Sequence, residues 1–117
     1  MNTQQLEDRL IDFSVQVIGI WKDLDKTYAG KQLAQQMTRA SISAPLNYGE
    51  AQLGESRKDF IHKIRITLKE LKEVNVAFKI CFRANLLDRE KYASAYQESN
   101  ELVAIFLKTV STAKSNS

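Results

Sequence analysis

Residues 56–83, SRKDFIHKIRITLKELKEVNVAFKICFR, decide the fold. Within them Ile61, Ile64, Leu68, Leu71, Asn75, Phe78 and Phe82 recur at spacings of three and four, the period of one helical face, over about six turns. Ser56 stands ahead of the run as an N-cap, and Asp59 places a negative charge in the first turn, where the helix dipole favours it. Asn85-Leu86-Leu87-Asp88 breaks the pattern, so the sequence predicts a helix over 56–85.

The same period extends outward on both sides. Leu6, Leu10, Phe13, Val17, Trp21 and Leu24 form one stripe and predict a helix over 3–23. Leu33, Met37, Ala40 and Ala44 begin a second stripe, which Asn47, Glu50 and Ala51 continue, over 30–53. Pro45 lies inside it, where a proline removes a backbone donor and clashes with the preceding turn at a cost of about 3 kcal/mol. Because the spacing resumes beyond Pro45, a kink in the second helix is expected rather than its end. Asp88 is an N-cap for a fourth helix over 88–112, with Tyr92, Ala95, Ser99, Leu102, Phe106 and Thr109 in heptad-like order, and the polar tail 111–117 is expected to fray. Four helices with short connections predict an all-α, up-down-up-down antiparallel four-helix bundle, one domain over 1–117. With 44% apolar residues among 117 the chain can fill a core, and one Pro and four Gly are too few for the many turns of a sandwich or barrel.

Catalytic chemistry finds no foothold. A single cysteine, Cys81, and a single histidine, His62, exclude an internal disulfide and a Cys/His zinc site. Gly49 and Gly54 have the spacing of a phosphate-binding loop, but Glu55 stands where that loop needs its lysine. Glu50, Glu70 and Glu73 lack the Glu-x-x-His pairing of di-metal bundles, and Ser41, Ser43 and His62 form no triad that spacing supports. The expectation is therefore a non-enzyme without metal or cofactor. Residues 1–10 carry acids where a secretory signal needs basic residues, and no apolar run approaches the length of a membrane span, so a cytoplasmic location with no membrane role is expected.

Two features of the 56–85 helix point to partners. Lys58, His62, Arg65, Lys69, Lys72, Lys79 and Arg83 fall along one stripe about a quarter turn from the core, a basic ridge suited to nucleic-acid phosphates. The alternative is a solvated face whose Lys69 and Lys72 are offset by acids on neighbouring helices. Ile66, Val76 and Ile80 also lie off the core stripe and predict a subunit interface, with a local packing irregularity as the alternative. The two features compete for adjacent surface.

Lys31-Gln32-Leu33, Arg39-Ala40-Ser41-Ile42-Ser43-Ala44, Asn47, Glu50-Ala51, Ser56-Arg57-Lys58-Asp59-Phe60-Ile61-His62-Lys63, Lys69-Glu70 and Glu73 together resemble the bacterial four-helix-bundle family. That family includes the proteins encoded by intervening sequences of 23S ribosomal RNA genes and is related to the accessory variability protein of diversity-generating retroelements. The resemblance spans nearly the whole chain. It departs at Pro45-Leu46, where small residues are usual, and at Val76-Ala77-Phe78, where an aromatic pair is common. It implies a cytoplasmic bundle assembled as a ring-like homopentamer, association with RNA or DNA and, by the retroelement relatives, a reverse transcriptase as partner. A protein-interaction scaffold with no direct nucleic-acid role is the alternative. Arg39, Asn47, Glu50, Asp59, Glu70 and Glu73 recur in the family and are read as one structural polar network across helices two and three. Lys58, Arg65, Lys69, Lys72, Lys79 and Arg83 are the candidate phosphate contacts.

Overall fold

The computed structural model describes residues 1–115. Four α-helices follow in order: α1 (Thr3–Ile18), extended by a 3-10 turn (Gly19–Lys22), α2 (Tyr28–Ala51), α3 (Arg57–Arg83) and α4 (Ala93–Ser115). They pack as an elongated bundle of 45 × 21 × 20 Å, with successive helices adjacent, α1 beside α4, and α1 diagonal to α3. The backbone N–H of Asp25 donates to Leu86 O at 3.1 Å, which ties the α1–α2 and α3–α4 connections together at one end of the bundle.

Local chemistry sets the boundaries. Asn2 and Gln5 form a reciprocal capping box at the start of α1. Thr27 caps α2, which begins two residues ahead of its predicted start because Thr27 Oγ1 accepts from Gly30 N. Ser56 Oγ accepts from Asp59 N, the cap the sequence predicts for α3. At its other end α3 closes in a Schellman motif: Leu86 N–H reaches Cys81 O and Asn85 N–H reaches Phe82 O, with Asn85 at φ 57°.

Three expectations are corrected. The first helix does not stay α-helical to residue 23: the tighter 3-10 winding from Gly19 turns Ile20 into the core and Trp21 outward, where its indole donates to Thr38 Oγ1 at 2.8 Å. The fourth helix starts at Ala93, not Asp88; Asp88 instead organises a turn over 89–92, its carboxylate accepting from Glu90 N and its carbonyl from Tyr92 N. Residues 111–115, expected to fray, continue α4, and the end of the predicted tail, 116–117, lies outside the described residues.

The core follows the predicted stripes. Leu10, Phe13, Met37, Ile64, Leu71, Phe78, Leu102 and Phe106 are fully buried. Rings of Phe78, Phe82 and Tyr96 meet at 5.5–6.1 Å, and Arg89 lies 5.0 Å over Phe82. α2 runs through Pro45 without a break. Pro45 has no N–H for Ser41 O, and the buried Ser14 hydroxyl of α1 approaches that carbonyl within hydrogen-bond reach, besides its own Leu10 O at 3.0 Å. The buried Asn75, on the predicted core stripe, donates to Ser99 Oγ at 2.9 Å and Asn100 Oδ1 at 2.7 Å across the α3–α4 seam. At the connected end, Tyr92 donates to Asp23 Oδ2 at 2.6 Å and Lys91 pairs with the same oxygen at 2.7 Å. Those hydrogen bonds hold the Asp23 carboxyl below its ordinary range. Burial, reinforced by Asp23, pushes the Tyr92 phenol up to about 12.

Candidate nucleic-acid interface

α3 carries eight basic and three acidic side chains. Two of those acids are already engaged. Glu70 and Glu73 both accept from the Arg39 guanidinium of α2, Glu70 at 3.0 Å. Lys63, which lies off the ridge, turns toward α2 and pairs with Glu50 at 2.7 Å. What remains is a surplus of positive charge on the outward side of the helix.

Lys58, Arg65, Lys69, Lys72 and Arg83 are exposed and Lys79 is half-buried. Among the described residues none of the six has an acid within ion-pair distance. The offset of Lys69 and Lys72 by acids on neighbouring helices, the alternative reading of this face, is therefore not what the side chains do. At 1.5 Å per residue the span from Lys58 to Arg83 is about 38 Å, long enough to follow several phosphates. At its start Arg57, Lys58, His62 and Arg65 line a shallow groove with Ile61. Arg57 was missed in the sequence because the ridge was read on one narrow stripe; the groove shows that the basic surface widens at the first turn.

The six residues read as one polar network do not form one. Arg39, Glu70 and Glu73 come together across α2 and α3. Asn47 instead bonds Ser43 within α2, its amide donating to both Ser43 O and Ser43 Oγ at 3.0 Å. Glu50 is taken by Lys63, and Asp59 stays exposed in the first turn of α3, with its backbone N–H on Ser56. Helical spacing explains the split: Asn47 and Glu50 lie two to three turns beyond Arg39, opposite a different part of the antiparallel α3.

Of the three residues assigned to a subunit interface, Val76 and Ile80 are exposed, at 41% and 47%, while Ile66 is half-buried. Val76 shares its stripe with Lys69, Lys72, Lys79 and Arg83 at spacings of three and four, so basic and apolar groups are interleaved on one face. A larger apolar surface was not read from the sequence. Ile11 and Val15 of α1 face Ile42 and Leu46 of α2 across a groove of about 330 Å³ that also takes in Pro45 and Glu7. Val15 and Leu46 are 63% and 61% exposed. The signal was present as a second stripe on α1, Ile11-Val15-Ile18, beside the dominant one.

Nothing in the site resembles catalytic machinery. Cys81 is buried against Met37, Sγ to Sδ 3.9 Å, and burial pushes its thiol up to about 11. Among the described residues no group of three or more His, Cys, Asp or Glu side chains is arranged to hold a metal ion, and no helix is long and apolar enough to cross a membrane.

A family model described as 23S rRNA-intervening sequence protein matches residues 4–108. Among solved structures, a protein of unknown function from the S23 ribosomal protein family of Bacteroides thetaiotaomicron is similar, with a TM-score of 0.79 and 26% identity over 95% of this chain and 99% of that one. No curated protein gave a significant match.

Proposed function

As this chain belongs to the 23S rRNA-intervening sequence protein family, we propose that it is a non-enzymatic, homo-oligomeric bundle that associates with nucleic acid through the outward face of α3. One observation carries the reading: Lys58, Arg65, Lys69, Lys72, Lys79 and Arg83 project along one helix without an acidic partner among the described residues, while Glu70 and Glu73 are held by Arg39 and Glu50 by Lys63. Unpaired charges of one sign in a row attract a polyanion and release its counterions, which gives affinity without reading sequence. The resemblance to bundles that assemble as homopentamers supports the self-association, and a cytoplasmic location suits both.

The test is binding of a mixed pool of RNA and single-stranded DNA across a salt series. Wild-type affinity should fall steeply with salt, and the double change Lys58→Ala with Arg65→Ala should flatten the logarithmic slope by about two, near one for each contact removed. A salt-insensitive interaction, or none at low salt, would overturn the nucleic-acid reading and leave a protein-interaction scaffold, with a reverse transcriptase as the first partner to try.

A further inference from the structure

We propose that the groove between α1 and α2 of one copy receives the outward face of α3 of a second copy, so that unlike surfaces of the same chain join head to tail. The inference rests on the self-association in the reading above and assigns the faces that make it.

Both faces are apolar at the centre, and their rims carry opposite charge. The groove presents Ile11, Val15, Ile42 and Leu46. Glu7 lines it, and Asp8 stands exposed on the stripe that carries Ile11 and Val15, neither of them in an ion pair among the described residues. The single basic residue of α1, Arg9, is turned away and held by Glu98 at 2.5 Å and Glu101 at 3.3 Å of α4. The opposite face centres on Val76 and Ile80, framed by Lys72, Lys79 and Arg83. Exposed apolar side chains of this kind gain by burial, and the matching rims choose between the ways of burying them. Groove against groove sets acids on acids, and α3 against α3 sets lysines on lysines. Groove against α3 alone pairs opposite charges.

The placement of the faces decides the symmetry. α1 is diagonal to α3 in the bundle, so the two surfaces look away from each other, and a contact between unlike surfaces repeats until it closes a ring or extends a filament. It also divides the basic ridge. Lys79 and Arg83 at the C-terminal half of α3 face the neighbour's acids, and Lys58, Arg65 and Lys69 at the N-terminal half stay open to phosphate.

Charge exchange on the full chain tests the assignment, read by light scattering coupled to size exclusion, with circular dichroism to confirm folding. Glu7→Lys with Asp8→Lys should raise the concentration needed for assembly about tenfold or more, and so should Lys79→Glu with Arg83→Glu. Mixing these two variants should restore assembly, since each then meets a face of opposite sign. Val76→Ser with Ile80→Ser, at exposed positions, should weaken assembly without restoration by either partner. If wild-type chain assembles and the folded charge variants assemble equally well, the faces are wrong although self-association stands. A wild-type monomer at every concentration overturns both, and neither result touches the salt dependence of nucleic-acid binding measured on Lys58 and Arg65.

Discussion

At the scale of single residues, backbone groups that lose their helical partners mark sensitive positions. Ser41 O lost its helical donor to Pro45 and lies within reach of the Ser14 hydroxyl. Ser14→Ala removes that hydroxyl in a buried place, so it should lower stability by about 1–3 kcal/mol by urea denaturation, whereas Ser43→Ala, on α2 and only half-buried, should cost less than half of that. Asn85 holds the left-handed position of the Schellman motif at φ 57°. Asn85→Gly should therefore raise stability by up to about 1 kcal/mol, and a branched residue there, Asn85→Val, should lower it by about 1–2 kcal/mol. Tyr92 supplies a pH dependence with a definite sign. Its phenol ionises near pH 10 in the unfolded chain but keeps its proton to about 12 when folded, so its contribution is complete below about pH 10 and is lost as pH rises toward 12. The gap in stability between wild type and Tyr92→Phe should shrink over that interval; a gap that stays constant would mean that the phenol does not titrate differently on folding.

At the scale of elements, a period of 3.6 was legible wherever one stripe of large apolar residues dominated. α3 and its cap at Ser56 could be read directly, and so could the buried positions of Leu10, Phe13, Leu71, Phe78, Leu102 and Phe106. What could not be read depends on small departures from that period. Four residues of 3-10 winding exchange Trp21 for Ile20 in the core, and no propensity at Gly19–Lys22 announces it. Asp88 has the chemistry of a cap, but it caps a turn because the chain must still cross to α4. The candidate site was half legible. Spacing placed the basic side chains on one face of α3, and the family resemblance put Arg39 with Glu70 and Glu73; the bundle shows that this trio closes without Asn47, Glu50 and Asp59 and draws the two glutamates away from the ridge. The α1–α2 groove needed both helices at once, since Ile42 and Leu46 belong to no stripe that Ile11 and Val15 share in sequence.

At the scale of the whole molecule, the chain separates charge that its composition conceals. A net charge of +3 on 117 residues permits a polyanion as partner without demanding one. Seven of the eight basic residues on α3, all but the Glu50-paired Lys63, concentrate that small excess on one side of a bundle 45 Å long, with Glu70 and Glu73 engaged by Arg39. In the proposed assembly, the exposed apolar side chains at Val76 and Ile80 within the basic face, and at Val15 and Leu46 in the groove, are the surfaces that join copies of the chain. Assembly then repeats the open N-terminal half of the ridge around the particle, so affinity for a long nucleic acid should exceed that of one chain by multivalency. The measurement that tests this most directly is the mass of the particle by light scattering after size exclusion, with and without RNA, at low and at moderate salt. The account predicts a particle larger than one chain in both salts that gains mass with RNA only at low salt. A particle whose mass is indifferent to RNA at low salt would contradict it.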